Sequence, residues 1–380
     1  VTDGADETGV ATSTESTSGT EGTSGTSGTE GSTDTEGAEV TFRGLGDLPG
    51  GEFFSEAADV SADGMVVAGY SVSGESSPGV EVATRSVRWT DAAPQPIGEL
   101  DGALFSEAQA VSADGQVVVG YAQMSRGTVA YRWTADDGPS ELGGLPEGAA
   151  DSKAYGVSAD GSVIVGECVI AGVTEAFRWE NGAATSLGHL SVGRGFEQST
   201  AFGVSADGLV VVGSSGGEAF RWEGGEMIGL GHLPCAAPMS QAMAVSEDGS
   251  VVVGTSCHGD GFNEFEAFRW EDGEMAGLGD LEGAGVGSQA LDVSGDGSVV
   301  VGSGWTDDGF RAFVWTQPMG MSDLAGLLGG SVDLDGWTLV VGRGISSDGS
   351  VIVGSNNGYA GQGNPNGQTE GWQISGLHWD

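Results

Sequence analysis

The chain has 380 residues, 72 of them glycine, is 38% hydrophobic, and carries no apolar run long enough to cross a membrane as a helix. Against 55 acidic residues stand 12 basic ones, a net charge of −43, and Lys153 is the only lysine. A field of that sign repels nucleic acid and anionic membrane, whose binding needs Lys and Arg.

Residues 1–38 hold eight carboxylates among Ser, Thr and Gly, and no Lys, Arg, aromatic, Leu or Ile. Such a segment buries too little apolar surface to offset its chain entropy, and predicts a disordered, charge-stretched stalk. It resembles the tether that follows the lipidated cysteine of bacterial surface lipoproteins. That resemblance implies an extracellular or outer-surface location, and the first residue, Val, fits a chain trimmed on export.

From residue 39 onward one phrase recurs, Val-Ser-Ala-Asp-Gly and a Val-rich run ending in Gly. Its Val or Ile falls at Val60, Val111, Val157, Val204, Val245, Val293 and Ile345, with spacings of 51, 46, 47, 41, 48 and 52. A period of about 40–50 residues with four strand signals per unit predicts an all-β fold over 39–380, a seven-bladed β-propeller with four antiparallel strands per blade. Strand A is Ser-x-Ala-x-x-Val-Ser, and Asp-Gly then predicts a tight two-residue hairpin. Strand B is an unbroken apolar run, as expected for a strand covered on both faces. Strand C is Ala-Phe-Arg-Trp, as at Ala176–Trp179, Ala219–Trp222 and Ala267–Trp270. Strand D is expected at Leu-Gly-x-Leu, as at Leu187–Leu190 and Leu278–Leu281. Phe42–Leu48 reads as a strand D with nothing before it, and the last unit lacks one. The N-terminal strand is therefore expected to complete the last blade and remove its open edge.

The Ser-x-Asp-Gly-x-Val phrases and Ala-Phe-Arg-Trp strands resemble the HAF-repeat family of bacterial extracellular repeat proteins over about residues 40–375. That family's His before Ala-Phe is here Glu175, Glu218, Glu266 and Arg311. The resemblance implies fold and export rather than an activity.

Strand order puts the A–B and C–D turns on one face and the B–C and D–A loops on the other. Variable loops on a rigid scaffold carry binding, so the loop face is the expected working face. Its B–C loops Ser71–Thr84, Thr255–Glu266, Ser303–Arg311 and Ser355–Glu370 offer His258, Asp260, Asn263, Trp305, Asp307, Asp308, Asn357 and Tyr359. The loop into the fourth blade adds Arg194 and Phe196. Aromatics beside Asn and Asp suit a carbohydrate or a peptide; solvated loops would look the same. A second candidate is a ring at the channel mouth, from the residue after the first Ser of each strand A: Glu56, Glu107, Lys153, Thr200, Gln241 and Gln289, with Val341 in the seventh blade. A water-filled polar rim is the plain alternative.

No catalytic constellation, cofactor motif or metal loop is legible. The Asp-Gly turns lack the ligand alternation of a calcium loop. His189 and His232 recur at one repeat position, which marks structure rather than zinc. His258 with Asp260 and Glu264 could hold a cation. The strand C arginines, Arg88, Arg132, Arg178, Arg221 and Arg269, are expected to reach a neighbouring strand's carboxylate or carbonyl. Cys235 and Cys257 flank one hairpin and can form a disulfide, leaving Cys168 unpaired or open to an external thiol. The expectation is a monomeric, non-enzymatic surface binding scaffold; a hydrolase or lyase acting on extracellular polysaccharide is the alternative.

Overall fold

The computed structural model describes residues 39–74, 83–90, 93–191, 197–259, 264–283, 287–330, 332–334, 336–356 and 366–379. The stalk expected over 1–38 lies outside them, and the chain divides into units of residues 1–37 and 38–380. The second unit is a seven-bladed β-propeller, each blade a four-stranded antiparallel sheet.

Blade 1 holds β2 (Ser55–Val60), β3 (Val67–Ser73), β4 (Ala83–Trp89) and β5 (Gln95–Pro96). Blade 2 holds β6 (Ala103–Val111), β7 (Val117–Met124), β8 (Gly127–Thr134) and β9 (Gly138–Glu141). Blade 3 holds β10 (Ala149–Val157), β11 (Val163–Ile170), β12 (Val173–Glu180) and β13 (Ala183–Ser186). Blade 4 holds β14 (Ser199–Val204), β15 (Val210–Ser215), β16 (Glu218–Glu223) and β17 (Glu226–Gly229). Blade 5 holds β18 (Ser240–Val245), β19 (Val252–Cys257), β20 (Phe265–Glu271) and β21 (Glu274–Gly277). Blade 6 holds β22 (Ser288–Val293), β23 (Val299–Thr306), β24 (Gly309–Thr316) and β25 (Gly320–Asp323), followed by α1 (Leu324–Leu328). Blade 7 holds β26 (Val341–Ile345), β27 (Val351–Ser355) and β28 (Gly371–Ser375), with β1 (Thr41–Gly44) as its outer strand. Thr41 lies opposite Ser375 and Gly44 opposite Trp372, so the stray first strand closes the ring as expected. Among the described residues no helix is long and apolar enough to cross a membrane.

The repeated phrase is a self-contained turn. Ser61 Oγ donates to Asp63 Oδ1 (2.6 Å) and accepts the Val66 N–H (2.9 Å), while the Met65 N–H also donates to Asp63. The Gly64 N–H returns to the Ser61 carbonyl (2.9 Å), making a four-residue turn rather than the expected two-residue hairpin. Only the glycine takes positive φ there, and aspartate serves as an acceptor instead. The C–D turns of blades 3, 4 and 5 do take the two-residue form, with Asn181 at φ 52 and Gly182 at 84 in blade 3.

These turns lock the blades together. Seven backbone hydrogen bonds form a closed circle, running from Ala62 to Ala113, Ala159, Ala206, Glu247, Gly295, Ser347 and back to Ala62 at 2.9–3.1 Å. Each repeat gives one N–H and one carbonyl to it, so the circle itself is made by main chain alone.

Side chains add a second set of ties. The first Ser of strand A accepts a backbone N–H from the preceding blade's strand C, as in Ala176 N–H to Ser199 Oγ (2.9 Å). Blade 7 has Val340 there, and the Ala312 N–H turns to the Leu339 carbonyl instead. The strand C arginines behave as expected in three blades. Arg178 Nε donates to Gly208 O (2.9 Å) of the next blade, and Arg221 and Arg269 reach Gly249 and Gly297. Arg88 instead stacks over Trp133, 5.2 Å from its ring centre. The blades bury Val pairs such as Val210 and Val212 with Phe268 and Leu230 between their faces.

Strand D lies earlier than expected. Leu187–Leu190 and Leu278–Leu281 follow β13 and β21, because their glycines, at φ 73 and 82, end the ladder. That break turns Leu278 and Leu281 in between blades. α1 was not expected either: Asp323 caps its Ala325 N–H, and Leu324 and Leu328 face the core.

Candidate functional site

Strand A carries a register shift around its fourth residue in all seven blades. A strand B glycine makes room for it: a Cβ on Gly69 would lie 2.0 Å from the Glu56 carbonyl oxygen. The bulge places Ala58, Gln109, Tyr155, Phe202, Met243, Leu291 and Arg343 around a central cavity of about 240 Å³. The fifth strand A residue is Ala or Gly in five blades, but Asp59 and Asp292 in the other two. Asp59 accepts the N–H groups of Val60 (2.7 Å) and of Val111 in blade 2 (2.9 Å). Asp292 accepts those of Val293 (2.8 Å) and of Ile345 in blade 7 (2.9 Å). Burial raises both carboxyls, and the charge of Asp59 raises Asp292 further, against those bonds.

Above the cavity, on the loop face, the expected ring forms but divides in two. Blades 7, 1, 2 and 3 gather its charges. Glu56 is buried, accepts the Tyr70 hydroxyl (2.8 Å), and meets Arg343 Nη2 at 3.2 Å. Glu107 accepts the Tyr121 hydroxyl. Lys153 Nζ lies 3.9 Å from Glu167 and 5.0 Å above the Tyr121 ring. Glu167 also accepts from Tyr155 (3.0 Å) and Thr200 (2.9 Å). Burial pushes Glu107 above the usual carboxylate range, with the Tyr121 hydrogen bond opposing it. Burial and the adjoining glutamates keep Tyr70, Tyr121 and Tyr155 protonated, hence donors.

Blades 4, 5 and 6 make the other half. Gln241 and Gln289 sit beside Met239, Met243, Phe265 and Leu291 around a hollow of about 320 Å³ without an ionisable side chain. Val341 pairs with Ser355 in blade 7.

The loop candidates are more dispersed. Ser303–Arg311 is not a long loop: β23 and β24 run on to a two-residue turn at Asp307 and Asp308. Their extension holds Trp305 stacked on Phe310 at 4.3 Å, with Trp305 38% exposed. His258 Nδ1 meets Glu266 Oε2 at 2.6 Å, so its side-chain partner is Glu266. Arg194, Phe196, Asp260, Asn263, Asn357 and Tyr359 lie outside the described residues. Cys235 and Cys257 form a disulfide, Cα to Cα 5.8 Å. Both sulfurs, close to His232, are thus committed to each other rather than to a metal. Cys168 is fully buried and its thiol is pushed up to about 11 by burial, Glu175 and Glu167, so it is not open to an external thiol.

Sequence reasoning missed Tyr70, Tyr121, Tyr155, Glu167, Arg343, Asp59 and Asp292. The signal was there in repeat alignment. Tyr70, Tyr121 and Glu167 follow the strand B glycine and pair directly across from ring residues.

No protein-family model matches this sequence, and no curated protein does. Solved structures are similar in fold. An oligogalacturonate lyase in complex with manganese is 12% identical, with a TM-score of 0.52 over 88% of this chain and 96% of that one. Oligogalacturonate lyase from Vibrio parahaemolyticus is 9% identical, with a TM-score of 0.51 over the same shares. TolB from Acinetobacter baumannii is 13% identical, with a TM-score of 0.42; 67% of this chain aligns, spanning 62% of TolB. The lyase likenesses agree with the propeller fold.

Proposed function

We propose that the chain is a binding propeller of the HAF-repeat type, held at the outer cell surface, that takes a carbohydrate or peptide at its channel mouth. One observation carries this reading. Seven equivalent positions differ by blade, so that a charged, tyrosine-rich half faces a neutral, apolar half above one cavity. A rim serving only to admit water has no need of that division. The half-buried tyrosines and the carboxylates are held by strands rather than loops, which suits a preformed site. A disulfide fits an oxidising compartment, and the acidic stalk composition supports a tether.

Glycan and peptide arrays test the reading. Ligand binding by the chain should fall at least tenfold in Tyr121→Ala, which removes the ring at the centre of the charged half, and persist in Asp272→Asn on the turn face. Equal binding by both variants removes the mouth as the site. Release of unsaturated or reducing sugar ends from an array glycan would transfer the assignment to the polysaccharide-degrading alternative.

A further inference from the structure

The two halves of the mouth differ in what they can recognise. In the charged half three carboxylates, Glu56, Glu107 and Glu167, meet two cations, Lys153 and Arg343. One negative charge is left over, inside a chain of net charge −43 that concentrates cations at its surface. The Lys153 ammonium already occupies a cation site: it lies over the Tyr121 ring and beside Glu167. Its side chain is 37% exposed on a flexible stem, so another ammonium can take its place without repacking the strand. Across the mouth, Met243 and Leu291 offer an apolar surface.

We propose that the mouth binds a protonated primary amine, seated over Tyr121 between Glu107 and Glu167 in the place now held by Lys153. The body carrying the amine lies across Met243 and Leu291. This rests on the channel-mouth reading above and narrows it to cationic ligands. A mouth built for an anion would use Lys153 and Arg343 as its contacts, so the two cases respond to the same substitution with opposite sign.

Titration calorimetry of the full chain at physiological salt distinguishes them. The probes are a glucosamine tetramer, spermidine, and the N-acetylated tetramer, which has the sugar but no charge. Binding of either amine and not of the acetylated tetramer is expected; which amine binds tells an amino sugar from a polyamine. Lys153→Met should tighten it roughly fivefold by removing one competing ion pair. Gln241→Lys, which adds a charge across the mouth and leaves the carboxylates intact, should weaken it by a similar factor. Asp272→Asn on the far face should change nothing; a loss equal to that of Gln241→Lys would mean diffuse attraction and overturn the proposal. Failure of both amines to bind, or weaker binding in Lys153→Met, overturns it too. Equal binding of the acetylated tetramer, still weakened by Tyr121→Ala, overturns the amine assignment and leaves the mouth as the ligand site.

Discussion

The N–H of Ser347, in the last repeat, donates to the carbonyl of Ala62, in the first, at 3.1 Å. That bond is the final link of the axial circle, and at the outer edge β1 seals the same seam. A chain beginning at Glu39 should therefore melt as the full chain does, whereas one beginning at Gly46 should melt at lower temperature. Amide exchange in β28, whose outer partner is lost, should rise first. Unchanged exchange in 371–375 would show that the seam holds without β1.

Gly208 has two reasons to be glycine. Its φ is +72, and a Cβ there would lie 2.5 Å from Val163 Cγ2. Gly182 has φ +84 and open space. Gly182→Ala should cost about 1 kcal/mol, from backbone strain alone. Gly208→Ala should cost clearly more, by chemical denaturation, since two blades must part to admit the methyl.

The paired Asp59 and Asp292 give stability an unusual pH slope. Both carboxyls are raised in the folded chain, so folding takes up protons there. Their contribution is complete below the unfolded value of about 4, and is lost as pH rises through the raised folded values. Asp292→Asn keeps an acceptor for Ile345 and removes the repulsion. It should gain stability relative to the parent chain on going from pH 5 to pH 8, in parallel urea titrations. A difference that does not change with pH would mean that the Asp292 carboxyl is not raised in the folded chain.

The cysteines give a simple count. Without reductant the folded chain should show no thiol reactive to a disulfide reagent, and the unfolded chain one, Cys168. Reduction opens a loop of sequence separation 22 and should destabilise by about 3 kcal/mol. A reactive thiol in the native, unreduced chain would contradict the burial of Cys168.

The architecture was legible because each repeat spells out its own junctions. Ser199 ties strand A to its neighbour, Asp207 and Gly208 make the turn, and Arg178 finds the next blade's carbonyl. Repetition makes one correct reading count seven times. Strand D was misplaced because Leu-Gly-x-Leu is apolar like a strand, while its glycine φ, the deciding quantity, leaves no mark in hydrophobicity. The ring was readable as seven positions but not as a site. Arg343 stands two residues beyond Val341 and reaches the mouth through the bulge, which moves the fourth residue of strand A to the axis. Asp59 and Asp292 are ordinary acids among 55 until the position is compared across blades.

The borrowed strand also fixes when this protein can become native. Arg43 bonds Gln373 across a separation of 330 residues. During synthesis, the first strand emerges and then waits, edge open, while six sheets are laid down behind it. Ring closure is therefore the last event of vectorial folding. A chain interrupted late in translation is left as an open arc, with two unmatched apolar flanks for chaperones or proteases to find.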